Sequence, residues 1–242
     1  MKTYRITLTA VSPIRIGGMD EPLGGVDNPI AMVGDRMCIP GPSLKGAYRY
    51  QLERYLFEQC RNEDSEDGWE NLCPCLASPN PSDAEKGSAP RYRKEACKID
   101  GNSICPVCYI LGAQGLVGFV SVPFLFAEKQ SRPQTLYSAR IDRATATVAK
   151  GANRSYQFAA PGTQFTGNVT VDLETPSGWT FGKPRRVKEG QVDLWLTCEP
   201  FKDKSQEQIL EELVVKRLQS IKMIGGYKSK GFGEVKVEIT EQ

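Results

Sequence analysis

The chain has no histidine among its 242 residues. That absence removes Ser-His-Asp and Cys-His nucleophilic catalysis, His-ligated zinc enzymes and imidazole acid–base chemistry. Any catalysis must rest on a carboxylate, Lys, Tyr, Ser, Cys or a metal ion. Net charge is scarce as well. Lys and Arg number 31 against 29 Asp and Glu, a formal +2, so a nucleic-acid surface has to come from local clustering. No run of about 18 apolar residues exists, so no membrane span is expected. The opening MKTYRITLTAV alternates apolar and polar residues and lacks a signal-peptide core. The expectation is a cytoplasmic protein. The phosphate-binding pattern G-x-x-x-x-G-K-[ST] is missing too.

What is present suffices for one large domain, or one domain with an insertion: 40% of the residues are hydrophobic. Residues 2–11 place Tyr4, Ile6, Leu8 and Ala10 on one face, the period of a half-buried strand. A turn-rich excursion over 12–43 follows, of a length that is usually functional. Residues 43–60 carry a helical stripe of Leu44, Ala47, Tyr48, Leu52, Tyr55 and Leu56. From 61 to 108 the composition turns acidic and Pro/Ser-rich, without helical or strand period, and reads as an insertion. Strand character returns over 117–126, 163–173 and 191–198, an amphipathic helix covers 205–222, and the chain ends on a strand with Val235, Val237 and Ile239 inward. This order fits an α+β, ferredoxin-like (modified RRM) antiparallel sheet with large added loops. No second copy of the unit is visible.

Four constellations carry chemistry. Gly24 to Arg49 delivers Asp27 through a glycine turn, then opens a helix at Ser43 with Lys45 and Arg49 in its first two turns. A helix start with added positive charge is an anion site; Asp27 before Asn-Pro is either a turn former or an acid poised near a phosphodiester. The loop from Ile224 to Glu234 combines Gly225, Gly226, Gly231 and Gly233 with Lys228 and Lys230. It is either a plain connection or a backbone that a phosphate chain can approach, with Tyr227 and Phe232 as base-stacking candidates. Among eight cysteines, Cys105-Pro-Val-Cys108 has zinc-ligand spacing, with Cys97, Cys75 and Cys73 upstream. Four of these five form a candidate structural Zn site, and free thiols or a redox pair are the alternatives. Cys38 and Cys198 lie in strand-like runs and are expected in the core. Last, Arg140, Arg143, Lys150 and Arg154 form a basic run, either a solvated loop or a protruding hairpin that grips nucleic acid.

Together these motifs resemble the Cas-seven-type RAMP proteins, the backbone subunits of type III CRISPR effector complexes of the Csm kind. The resemblance covers most of the chain: Ile16-Gly17-Gly18, Gly25-Val26-Asp27-Asn28-Pro29, Ile39 to Gly46 with Arg49, Cys105 to Gly112, Ile141-Asp142-Arg143 with Thr145, Gly162 to Gly167, and Gly225 to Gly233. It implies a single RRM-like domain over 1–242, a zinc-bearing insertion over 61–112 and a thumb-like segment over 137–162. Copies of the chain, or related subunits, would line up along a CRISPR RNA beside other type III subunits. Each thumb would kink the guide–target duplex at a regular interval. Asp27 would cut complementary target RNA with Mg or Mn. Ser43, Lys45, Arg49, Gly225, Gly226, Lys228 and Lys230 would hold guide phosphates, while Arg140 and Arg143 make thumb or backbone contacts. A non-catalytic guide-binding subunit of the same complex is the alternative. The sequence departs from the family where Ala144 and Ala146 flank Thr145, and in carrying a zinc insertion that plain Csm-type subunits lack.

Overall fold

The computed structural model describes residues 1–18, 26–59, 69–76, 82, 92–93, 96–98, 104–113, 115–175, 178–187, 190–191 and 193–242. The Gly24-Gly25 turn, the acidic run 61–68 and most of 77–95 lie outside the described residues.

The strands are β1 (Lys2–Ala10), β2 (Met32–Val33), β3 (Arg36–Ile39), β4 (Val120–Ser121), β5 (Leu125–Ala127), β6 (Gln134–Ile141), β7 (Val148–Phe158), β8 (Gln164–Val171), β9 (Arg186–Val187), β10 (Gly190–Gln191) and β11 (Val235–Glu241). The helices are α1 (Gly41–Gln59), α2 (Trp69–Leu72), α3 (Pro106–Leu111), α4 (Gln206–Leu210) and α5 (Lys216–Gln219). The result is mixed α+β with antiparallel sheets and few helices. The main sheet runs β11-β1-β8-β5-β3-β2, with β4 also on β8. β1 lies between β11 and β8: Leu8 sits opposite Val237 on one side and Phe165 on the other. The period-two pattern of β1 is realised, with Tyr4, Ile6, Leu8 and Ala10 buried.

Helix α1 starts after Pro40 and buries Leu44, Tyr48, Leu52, Tyr55 and Leu56. It packs against α3 and α5. The second long helix begins at Ser205, whose hydroxyl accepts from Gln208 N–H while Gln208 reciprocates, a capping box. Between α4 and α5 the residues Glu211–Val215 widen to a π-turn. There the buried Tyr48 hydroxyl donates to Leu213 O at 2.8 Å, a tertiary tie between the two helices at the irregular turn.

One sequence expectation changes. Residues 191–198 do not continue as a strand: Leu194–Thr197 is a 3₁₀ turn. The reason is Asp193, which the alternating pattern would send to solvent. It is buried instead, accepting Arg185 Nε at 2.6 Å and Nη2 at 2.7 Å. Arg185 is itself buried between the rings of Tyr109 and Trp179. Cys198 therefore ends a 3₁₀ turn, half-buried, while Cys38 lies in the core on β3 as expected. The basic run, open in the sequence between a solvated loop and a protruding hairpin, is a hairpin. β6 and β7 form their own two-stranded sheet, apart from the main one. β6 is exposed along its whole length, so no burial period marks it in the sequence.

Removing the Asp193 carboxylate leaves the Arg185 guanidinium buried without its counter-charge. Asp193→Ala is expected to cost about 3–5 kcal/mol in urea unfolding; a loss below about 1 kcal/mol contradicts this role for the pair.

Candidate nucleic-acid interface and metal centre

The segment Val26 to Ile30 lies along the base of the hairpin. Asn28 N–H donates to Ser155 O at 3.1 Å, and Gln157 N–H to Asn28 O at 3.0 Å, a parallel bridge onto β7. Gln157 Oε1 accepts Ile30 N–H at 3.3 Å. Gly18 N–H reaches Pro29 O at 3.0 Å on the other side. The segment is thus a ridge between two clefts. Val26, Pro29 and Ile30 line an apolar groove of about 710 Å³ with Met32, Val33 and Phe124. Asn28 lines a polar cleft of about 510 Å³ with Arg140, Arg154, Tyr156, Tyr227 and Lys230.

Asp27 stands exposed on this ridge. Its Oδ2 accepts Ser155 N–H at 2.6 Å and the Ser155 hydroxyl at 2.9 Å. The same hydroxyl accepts Asp27 N–H at 3.0 Å. Donation from the Ser155 backbone, then from its hydroxyl, holds the carboxyl below the usual carboxylate range against an opposing desolvation, with lesser help from the charge of Arg154. Among the described residues nothing donates to Oδ1. The sequence singles out Asp27; Ser155, far along the chain, carries no local signal.

The helix start and the glycine loop meet in a third cleft, about 670 Å³, lined by Ser43, Gly46, Tyr50, Arg54, Lys222, Gly225, Gly226 and Lys228. Helical geometry sorts the expected anion residues: Ser43, Ala47, Tyr50 and Arg54 share this face, while Lys45 lines a different cleft with Pro42, Leu116 and Val117. Arg49 turns away as well, to Glu53 Oε1 at 3.5 Å. Glu53, pushed up by burial and pulled back by Tyr92 and Arg49, accepts the Tyr92 hydroxyl at 2.9 Å. Arg49 therefore belongs to the link between α1 and the cysteine segment. Arg54, Tyr50 and Lys222 join the cleft instead; on α1, Tyr50 follows Ser43 by seven residues and Arg54 follows Ala47 by seven, which was the available signal for those two.

Within the loop, Gly225 has φ 88°, and a Cβ there would meet Arg15 O at 2.4 Å; at Gly233 it would meet Ile224 O at 2.4 Å. These glycines serve the chain's own close approach. Gly226 donates its N–H to Arg15 O at 2.8 Å. Phe232 is buried against Tyr156 and Phe158, and Tyr227 lies between Arg15 and Lys230, so neither ring is a free stacking platform. Both instead fasten the hairpin base to the loop. Lys228 and Lys230 are exposed on opposite clefts. Arg140 lines the hairpin cleft, whereas Arg143 is exposed at the hairpin tip, in a turn closed by Asp142.

The cysteine expectation resolves to a definite set. The thiols of Cys75, Cys97, Cys105 and Cys108 are buried and all lie within 4.8 Å of one another. Cys75 Sγ is 3.3 Å from Cys108 Sγ and 3.9 Å from Cys105 Sγ, and none of these cysteines is in a disulfide. Four ligands at a Zn–S distance of ~2.3 Å on a tetrahedron stand about 3.8 Å apart, so the donor set fits zinc. Cys73 is buried outside the four. Cys105 N–H and Arg93 Nη2 both donate to Cys97 Sγ, at 3.2 and 2.7 Å, which suits thiolate ligands. The set opens α3, whose Val107, Tyr109, Ile110 and Leu111 enter the main core.

The sequence matches the RAMP superfamily over residues 7–236. The chain belongs to the RAMP superfamily. That membership points to a CRISPR-associated RNA-binding subunit. No match is found among curated proteins. Among the described residues no helix of this RAMP protein is long and apolar enough to cross a membrane.

Purified protein is expected to carry one zinc ion per chain by plasma mass spectrometry. Cys105→Ser should lose the metal and lower the thermal midpoint, while Cys73→Ser should keep both; full metal content in Cys105→Ser contradicts the assignment.

Proposed function

We propose that this chain is a guide-RNA-binding backbone subunit of a type III CRISPR interference complex that cuts complementary target RNA through Asp27. The observation that carries the reading is the exposed Asp27 carboxylate, held at Oδ2 and open at Oδ1, on a ridge beside a cleft that gathers Arg140, Arg154 and Lys230. The strand order β11-β1-β8-β5, with α1 and the 206–219 helix between strands, supports a ferredoxin-like core beneath it. The β6–β7 hairpin supports the thumb, and the cysteine set supports a zinc-bearing insertion.

In this reading the guide backbone lies in the Ser43–Arg54–Lys222–Lys228 cleft, where cations neutralise phosphates without reading bases. Sequence comes from guide–target pairing. The target strand crosses the hairpin base, and Arg140, Arg154 and Lys230 stabilise charge on its phosphate. RNA supplies its own nucleophile in the neighbouring 2′-OH, so the protein has to fix an in-line geometry and supply charge. A hydrated Mg²⁺ or Mn²⁺ needs few protein ligands, and an exposed carboxylate oxygen suits it; such an ion would contribute charge stabilisation at the reacting phosphate. Other copies of the chain, or related subunits, extend the groove along the guide.

A second reading has one specific observation behind it: Asp27 also fastens the ridge to Ser155, a role that a non-catalytic guide-binding subunit would need. Asp27→Asn separates the two, because the amide oxygen still accepts from Ser155 while the charge is gone. Assembled on guide RNA, Asp27→Asn is expected to bind complementary RNA like wild type and to cut it at least ~100-fold more slowly. Cutting at the wild-type rate establishes the non-catalytic reading. In the same assemblies Arg54→Ala should weaken guide binding and flatten its salt dependence by roughly one unit of slope.

A further inference from the structure

We infer that Ser155 is a positioning residue for Asp27: its hydroxyl, from the thumb strand β7, fixes which way the Asp27 carboxylate faces. The inference rests on the catalytic reading of Asp27 and adds to it the group that makes an exposed loop carboxylate usable.

The geometry isolates the hydroxyl. Ser155 is buried, at 6% exposure, although its partner is exposed. Its Oγ–H donates to Asp27 Oδ2 at 2.9 Å, and its lone pair accepts Asp27 N–H at 3.0 Å. One hydroxyl thus uses its single donor and an acceptor on the same residue, closing a small ring through the Asp27 backbone and side chain. With Ser155 N–H, at 2.6 Å, both donors converge on Oδ2, and among the described residues none donates to Oδ1. An unsupported Asp at the surface samples several rotamers. Rotation about the Cα–Cβ bond breaks this ring, while a half-turn about Cβ–Cγ only exchanges the two equivalent oxygens.

The attachment of the ridge to the hairpin does not depend on that hydroxyl. It is carried by Asn28 N–H to Ser155 O, Gln157 N–H to Asn28 O and Ile30 N–H to Gln157 Oε1. The aromatic contacts of Tyr156 with Tyr227 and Phe232 hold the hairpin base from the other side. A side-chain truncation at Ser155 leaves all of these in place. It removes the ring alone, so the hydroxyl acts on orientation and not on the fold. A supported catalytic group of this kind has to be held within about 0.5 Å of its working geometry.

The test uses wild type, Ser155→Ala, Ser155→Thr and Asp27→Asn, each assembled on guide RNA and given a saturating amount of complementary RNA in Mg²⁺ or Mn²⁺. Single-turnover cutting and target affinity are both measured. Ser155→Ala is expected to bind target within about twofold of wild type and to cut roughly 10- to 100-fold more slowly, the range that misplacement of a reacting group produces. Ser155→Thr, which restores the hydroxyl, should recover most of the rate. Wild-type cutting by Ser155→Ala overturns the inference. So does an equal fall in affinity and rate, the mark of a plain structural brace, and so does intact binding without recovery in Ser155→Thr. Unimpaired cutting by Asp27→Asn instead removes the catalytic reading beneath it, whatever Ser155 does.

Discussion

The pairing of the Asn28 segment with β7 is the constraint on which the rest depends. Two backbone hydrogen bonds, Asn28 N–H to Ser155 O and Gln157 N–H to Asn28 O, join parts of the chain that are 127 to 129 positions apart. They set the hairpin's base against the ridge, and so determine that Arg140 and Arg154 share a cleft with Lys230. A lone two-stranded ribbon is marginal in water. This one is held at its root by the ridge on one side and by Tyr156, Phe158, Tyr227 and Phe232 on the other. The exposed ribbon can therefore project while its acid and its cations stay registered.

A second constraint organises the opposite side. The four thiols of the cysteine set stand at the start of α3, and α3 packs on α1. Tyr92 reaches the same helix through Glu53 and an edge-on contact with Phe57 at 4.9 Å. Helix α1 is thus gripped from the side of the cysteine set through Arg49, Glu53 and Tyr92, leaving Ser43, Tyr50 and Arg54 to face the glycine loop. One helix separates the two jobs by its faces: attachment of the cysteine segment on one, a cationic cleft on the other.

Much of this was legible in the sequence wherever burial has a period. The alternation in β1, the stripe of α1 and the apolar face over 205–222 all correspond to elements, and the capping pair Ser205 and Gln208 is written in the chain. Legibility fails where a side chain's partner is remote. Asp193 looked like an outward strand residue because its partner Arg185, although only eight residues away, is buried against Tyr109, which comes from a distant part of the chain. The first hairpin strand, β6, has no period because solvent meets both of its faces. At the site, Asp27 was visible and Ser155 was not, since the link between them is purely tertiary. Arg49 and Arg54 differ by little in composition; the helix phase, together with Glu53, sends them to opposite sides. Gly225 and Gly233 were visible as glycines, but the atoms they make room for, Arg15 O and Ile224 O, belong to this chain.

Guide-directed cutting at a fixed geometry is the central claim, and the positions of the cuts test it most directly. A complementary RNA labelled at one end is bound by the wild-type assembly in Mg²⁺ or Mn²⁺, and the products are mapped at single-nucleotide resolution. The predicted result is a ladder of cuts at one constant spacing, one for each copy whose ridge and hairpin grip the duplex. An assembly that binds the complementary RNA yet leaves it whole, or breaks it at irregular positions, would contradict the claim.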